Sequence, residues 1–372
     1  MNILMIVTEK LPVPPVRGGA IQTYVDALAP HLGKAHKLTI LGITDPTLPE
    51  RESRGGITYV RVPGGELDTY TAGVTEFLKK NSFDLIHIFN RPRMVLPVRG
   101  VAPKARIILS LHNDMFEPGK IEPAEAEQVL AQMEKMVTVS DYVGRRVESL
   151  YPAAAGKWRT VYSGVDLKRF AVDRDARQRL RTEHGLTGKQ VILFVGRLSP
   201  KKGADVLVRA MPQIAKRHPD AALVLVGSKW YGEDKVSDYV AYVRAIAARS
   251  PVPVVTTGFV TPDQVHQWFA AGDIFVCASQ WEEPLARVHY EAMAAGLPIV
   301  TTARGGNPEV VAGKGNGVVV ENAEDPQAFA AALSQMLSDK ARREKMGRAG
   351  RTLAEQRFGW DRVAADILSV WG

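Results

Sequence analysis

Ser279-Gln-Trp-Glu-Glu283-Pro284-Leu285-Ala286-Arg287-Val288-His-Tyr290-Glu291-Ala-Met-Ala-Ala-Gly296-Leu-Pro298-Ile-Val-Thr-Thr302 sets a turn, a short helix and a new strand in succession around two glutamates. An apolar strand, Asp273 to Ala278, leads into it, and the turn that follows holds Glu282, Glu283 and Pro284. The pattern predicts a helix from Ala286 to Ala295, stopped at Gly296, and a new strand opening at Pro298. Proline suits a helix entrance, and glycine suits the residue just past a helix end. A helix that starts at the carboxyl end of a strand stands where open α/β sheets bind ligands. Its N–H groups, near residues 285–288, would form an anion site. Glu283 falls at the rim of that site, and Glu291 about two turns deeper. One carboxylate faces what the helix end holds, and the other is placed to accept hydrogen bonds from a pair of hydroxyls. A sugar joined to a nucleotide diphosphate offers both.

Two glutamates at this spacing, taken alone, favour an ordinary strand-helix-strand connection with solvated carboxylates. Their neighbours reverse that weighting. Glu283-x7-Glu291, with Pro284 after the first Glu, Ala-Met-Ala-Ala-Gly296-Leu-Pro298 after the second and Gly305-Gly306-x-x-Glu309 downstream, resembles glycosyltransferase family 4. These are retaining enzymes of the GT-B fold. The resemblance implies an α/β protein of two Rossmann-like domains whose parallel sheets face each other across a cleft. It also implies that the donor sugar meets Glu283 and the backbone of Pro284, Leu285, Ala286, Arg287 and Val288, and that Glu291 holds the ribose hydroxyls.

The 372 residues exceed one ordinary core and predict two domains. No apolar run reaches membrane-spanning length, and Met1-Asn2-Ile3 enters a short strand with no signal peptide in view. The single cysteine, Cys277, lies inside an apolar strand and reads as a buried thiol. A cytoplasmic protein is expected, with peripheral attachment to a membrane or spore coat left open. The net charge of +8 is spread thinly, +2 over residues 1–167 (20 Lys/Arg against 18 Asp/Glu) and +6 over the rest (28 against 22). With no nucleic-acid motif beside it, a mildly basic phosphate cleft accounts for it and no nucleic-acid partner is expected.

Along the chain, strands are expected at Asn2 to Thr8, Lys37 to Gly42, Ile57 to Val62, Asp84 to Phe89, Arg106 to Leu111, Met136 to Val139 and Thr160 to Tyr162. Helices fall at Ala20 to Leu32, Tyr70 to Lys80 and Glu122 to Gln132, with Ser140 capping another. Gly18 and Gly19 sit at a strand-to-helix turn where bare backbone can approach a ligand; the resemblance makes them donor-proximal. Residues 91–99 mix arginines with apolar residues. They suit an acidic or membrane-bound acceptor, but a short packed helix with solvated arginines fits better, because two prolines spoil a long amphipathic face. His112 ends its strand at the carboxyl edge, and the resemblance places it near the transferred sugar. Residues 167–189 are polar and read as the crossing between domains.

In the second half, Val191 to Val195 ends in Gly196-Arg197-Leu-Ser-Pro-Lys201-Lys202-Gly203. Two cations after a strand end, with glycines beside them, form a diphosphate clamp. The resemblance assigns Gly196, Arg197 and Lys202 to the donor, leaves Lys201 a bystander and sets the backbone near Val260 beside the nucleotide base. Gly305 and Gly306 amides are also expected to reach phosphate or sugar. The final segment from Phe358 resembles the family's terminal helix, which implies a first domain of residues 1–166 plus 358–372, on the acceptor side, and a second of 167–357 for the nucleotide sugar.

No Gly-x-x-x-x-Gly-Lys-Ser/Thr loop or Gly-x-Gly-x-x-Gly fingerprint occurs, which counts against a nucleoside triphosphatase or an ordinary dehydrogenase. The histidines show no metal-ligand spacing, so no metal is expected and Arg197, Lys202 and backbone N–H groups meet the diphosphate charge. The resemblance implies catalytic duty for His112, Glu283, Arg197 and Lys202. Departures from the family pattern are Ser163 for Asn, Ala286 for Gly, Arg287 for an apolar residue and Tyr290 for a smaller one; this version resembles spore-coat-type glycosyltransferases. A UDP- or GDP-linked sugar moving to a glycan, lipid-linked or protein acceptor is the expected reaction. An inactive coat scaffold and a sugar-nucleotide epimerase of the same fold are the other readings.

Overall fold

The computed structural model describes residues 1–229 and 236–372. The chain divides into two compact units, Met1–Gly164 with Trp360–Gly372, and Val165–Gly359.

In the first unit, β1 (Asn2–Ile6), β2 (Lys37–Ile43), β3 (Arg51–Arg54), β4 (Ile57–Val62), β5 (Leu85–Phe89), β6 (Arg106–Leu111), β7 (Lys135–Thr138) and β8 (Trp158–Thr160) join in the order β3-β4-β2-β1-β5-β6-β7-β8. All pairs are parallel except β3 with β4. That edge strand is absent from the sequence reading: it is short and polar, and the Gly55-Gly56 turn that makes it a hairpin was its one signal. The helices are α1 (Ala20–Leu32), α2 (Leu67–Lys80), α3 (Val95–Val101), α4 (Pro123–Gln132), α5 (Asp141–Leu150) and, returning from the chain end, α13 (Trp360–Trp371). Ser140 caps α5 by accepting from Val143 N–H at 3.3 Å. The central strands are buried on both faces, which is why they read as unbroken apolar runs.

Trp371 closes this core. Its indole N–H donates to His87 Nδ1 at 3.2 Å, so His87 carries its proton on Nε2 and donates to Ser110 Oγ at 2.7 Å. Segment 91–99 is packed down as expected, and Arg93 is solvent-exposed, but the other two arginines are held by the protein. Arg91 pairs with Glu9, and Arg99 donates to Ala105 O at 2.7 Å and Gln132 O at 2.8 Å.

The second unit holds β9 (Gln190–Val195), β10 (Ala221–Val226), β11 (Val254–Thr256), β12 (Ile274–Cys277), β13 (Ile299–Thr302) and β14 (Gly317–Val320) in the order β11-β10-β9-β12-β13-β14, all parallel. Its helices among the described residues are α6 (Arg174–Glu183), α7 (Ala204–Ala215), α8 (Asp238–Ala247), α9 (Val265–Ala271), α10 (Val288–Ala294), α11 (Pro326–Ser338) and α12 (Lys340–Arg357). α6 corrects the reading of 167–189 as a bare crossing. Asp173 caps it at 2.9 Å, Ala176 and Leu180 are buried, and Arg181 donates to Asp273 at 2.6 Å. Its polar sequence hid a two-residue apolar stripe.

Strand order reverses between β9 and β12, so their carboxyl ends flank the topological switch point, where ligands bind in such sheets.

Candidate active site

Two loops leave that switch point. From β9 come Gly196, Arg197 and a 3-10 turn at Pro200–Lys202; from β12 come Ser279 to Arg287 and then α10. Gly203 turns the first loop with φ 70°, and an added Cβ would lie 2.2 Å from Ala278 O, so the two loops approach as closely as backbone allows. The result is a contact between residues 81 positions apart: Lys202 Nζ pairs with Glu283 Oε1.

Glu283 is buried rather than at a rim, which corrects the sequence reading. Its second oxygen accepts from Ser279 Oγ, whose own strand end pulls the carboxylate inward. An ammonium has three donors, and the other two of Lys202 meet no acceptor among the described residues. Glu283 therefore aims Lys202 instead of consuming it. Arg197 is half-buried at the end of β9. Lys201, the expected bystander, stands 5.1 Å from the centre of the Trp281 ring.

The helix after Glu283 is shorter than its sequence predicts, α10 beginning at Val288 rather than Ala286. Asn307 Oδ1 accepts from Ala286 N–H at 3.1 Å and holds the preceding residues, with Pro284 and Leu285 buried, outside the helix. That N–H is therefore unavailable to a ligand, another correction, while those of Leu285 and Val288 make no hydrogen bond among the described residues. Gly305 and Gly306 are also corrected. Gly305 N–H donates to Glu282 at 2.7 Å and Gly306 N–H to Glu283 O at 2.8 Å, so both amides bind the neighbouring loop.

Glu291 is half-buried in α10, and its carboxylate makes no hydrogen bond among the described residues. Burial pushes its carboxyl above the usual carboxylate range, against the opposing charges of Arg287 and Arg169. Arg169 also donates to Pro262 O, beside half-buried Val260.

In the first unit, Gly18 and Gly19 make the turn into α1 with φ 80° and 106°. A Cβ on Gly19 would lie 2.3 Å from Gln22 Oε1, and its φ of 106° strains any other residue, so local structure favours glycine there whether or not a ligand binds. His112 follows β6. Asn90 Oδ1 accepts from its N–H at 3.0 Å, and its ring meets Tyr24 edge-on at 4.9 Å. The structure thus groups Gly196, Arg197, Lys202, residues 283–288 and Glu291 in the second unit, and Gly18, Gly19 and His112 in the first.

A family model described as Glycosyltransferase Family 4 matches residues 18–169, and one described as Glycosyl transferases group 1 matches 176–353. Spore coat protein SA of Bacillus subtilis (strain 168) is 46% identical over 376 residues, covering 100% of this chain and 99% of that one. This chain belongs to glycosyltransferase family 4. A GDP-mannose-dependent alpha-(1-6)-phosphatidylinositol monomannoside mannosyltransferase of Mycolicibacterium smegmatis is 29% identical over 99% of this chain and 97% of its own. Sucrose-phosphate synthase from Thermosynechococcus elongatus superposes with a TM-score of 0.80 at 21% identity, over 100% of this chain and 98% of that one. Anabaena HepE in complex with UDP gives 0.79 at 22%, over 100% and 99%. The fold is GT-B, and the protein is a glycosyltransferase similar to the spore-coat type. No described helix is long and apolar enough to cross a membrane.

Sequence reasoning missed several buried polar residues of this glycosyltransferase. Glu9 and Arg91 pair at the carboxyl ends of β1 and β5, where the first sheet reverses direction. Spacing alone gave no signal for that ion pair, which depends on strand order. His289 was also passed over; it is fully buried, and burial pushes it down to about 4, as it pushes His87 down to about 3. Both are neutral when folded, whereas the unfolded chain takes up protons near pH 6.5. Their contribution to stability is present above that pH and is lost as pH falls toward 4, by up to about 1.4 kcal/mol per pH unit for each histidine. The thermal midpoint of His289→Asn should therefore fall less steeply between pH 6.5 and 4.5 than that of the parent. Equal slopes would show that His289 is not held neutral.

Proposed function

We propose that the second unit binds a UDP- or GDP-linked sugar and that this enzyme transfers the sugar with retention of configuration, without a metal, to a hydroxyl of a glycan, lipid-linked or protein acceptor taken by the first unit. The observation that carries this reading is Lys202, aimed by Glu283 into the switch point with two donors that meet no acceptor among the described residues. With Arg197 it supplies two positive charges where a diphosphate departs, so the growing negative charge is met by side chains already in place. Gly196 lets the backbone approach there. Glu291 accepts from the ribose hydroxyls, Val260 borders the base, and Pro284 to Val288 with Glu283 face the sugar.

The bond from the anomeric carbon to the β-phosphate oxygen breaks, and the acceptor oxygen bonds to that carbon on the same face. The acceptor proton passes to the leaving diphosphate, so no protein nucleophile is needed. His112 is assigned to catalysis by the family resemblance, as are Gly18 and Gly19 to the donor phosphates. The similarity to a spore coat protein supports an acceptor on a coat or cell surface and attachment there from the cytoplasmic side.

Proton NMR of the protein with UDP-glucose or GDP-mannose and EDTA tests the chemistry. The first-formed sugar product should keep the donor's α configuration. A first-formed β product would overturn retention, and consumption that requires added divalent metal would overturn metal independence.

A further inference from the structure

The face of α10 that meets the sheet buries a histidine completely. His289 is 0% exposed, as are Thr301 in β13 and Asn307 at the start of the turn Asn307–Val310. Polar side chains at such a depth are retained only when their hydrogen bonds are made; here Thr301 is committed to His289, and His289 and Asn307 each to Ala286. Asn307 Oδ1 accepts from Ala286 N–H at 3.1 Å, and His289 Nδ1 lies 2.9 Å from Ala286 O. A carbonyl only accepts, so Nδ1 bears the proton. Nε2 is then the acceptor for the Thr301 hydroxyl at 2.8 Å. Burial keeps the ring neutral, with its pKa pushed down to about 4, so this tautomer is maintained at ordinary pH.

Both polar groups of Ala286 are thus fixed by buried side chains, one on α10 and one on the turn after β13, with β13 itself holding the histidine. The residues on either side behave differently. The N–H groups of Leu285 and Val288 make no hydrogen bond among the described residues, though the side chain of Leu285 is buried. A clamp on the middle of a segment whose flanking donors are uncommitted fixes where those donors point.

We propose that His289, anchored by Thr301, is a positioning residue that presets the Leu285 and Val288 N–H groups for the transferred sugar of the donor, an inference that rests on the donor-site reading above. A neutral, doubly bonded imidazole gives this loop one orientation before ligand arrives, and preorganised donors lose less freedom on binding. The effect belongs to the sugar, because the diphosphate and nucleoside are held by Arg197, Lys202 and Glu291.

Titration calorimetry of the purified protein with UDP-glucose and UDP, and with GDP-mannose and GDP, separates the two. His289→Leu should weaken the sugar nucleotide about tenfold, roughly 1.4 kcal/mol, and leave the free diphosphate within about twofold. His289→Asn, whose amide N–H takes the place of Nδ1–H, should recover most of the loss. Thr301→Val removes only the anchor and should move affinity the same way by less; it also carries the readout should His289→Leu not fold. Equal weakening of sugar nucleotide and diphosphate, or no weakening of either, overturns the proposal and leaves His289 a structural residue. Failure of the Asn variant to recover any of the lost affinity overturns it as well. If the folded parent binds none of the four, the donor-site reading itself falls. If the parent binds and Glu291→Gln does not, while His289→Leu keeps the parent's affinity ratio, only the positioning role falls.

Discussion

Lys202→Ala is expected to lower kcat/KM by about 10²–10³, the cost of removing one group that stabilises developing charge in a preorganised site. The same substitution should lower the thermal midpoint. Lys202 and Glu283 have side chains only 19% and 9% exposed, and removal of Lys202 leaves Glu283 a buried charge whose one remaining side-chain partner among the described residues is Ser279. Breaking a pair of that kind costs about 3–5 kcal/mol. The two effects separate in a double variant. Lys202→Met with Glu283→Gln keeps the side-chain volumes and removes both charges, so the midpoint should return toward that of the parent. Turnover should not return, because the diphosphate has lost its cation. Recovery of kcat/KM in the double variant would mean that Lys202 acts only through Glu283.

Glu291→Gln should have an opposite balance of effects. The carboxylate is desolvated and makes no hydrogen bond among the described residues, so its ionised form is a liability in the ligand-free fold. A group whose folded pKa is raised costs stability above that pKa, and the cost disappears as pH falls through it. The neutral amide removes the cost at pH 7, less the attraction of Arg287 and Arg169, so the midpoint should hold or rise. Binding should suffer. Two charge-assisted hydrogen bonds to a ribose diol, at about 1.5–3 kcal/mol each, become one neutral acceptor and one clashing donor, a loss of about 100-fold in nucleotide-sugar affinity. A residue that destabilises its own fold and is needed by the ligand marks a binding site.

Much of this is legible in the amino-acid sequence. The strand Ile57–Val62 follows from an alternating pattern, Arg106–Leu111 from an apolar run and the helix Ala20–Leu32 from a 3.6-residue period, and their bounds match the expectation. The edge strand Arg51–Arg54 and helix Arg174–Glu183 were missed because both are mostly polar and lean on distant partners, β4 in one case and Asp273 in the other. The candidate site divides in the same way. Glu283, Arg197 and Lys202 stand out as residue types after strand ends, and Glu291 as one in the helix that follows. Their environments do not, because the Lys202 pairing depends on β9 lying beside β12. Likewise the start of α10 is set by Asn307, a side chain 21 residues from the N–H it takes. Local pattern carries no record of either.

We propose a nucleotide-sugar site at the switch point of the second unit, built on Glu291, Arg197 and Lys202 and independent of metal. Its most direct test is a thermal-shift titration in EDTA with UDP-glucose, GDP-mannose and ADP-glucose, run on the parent and on Glu291→Gln. At a concentration about 100 times its Kd, the parent should rise by about 5 °C with the UDP- or the GDP-linked sugar, and the variant by about 1 °C or less. A folded parent that shifts with none of the three, or a variant that shifts as far as the parent, would contradict it.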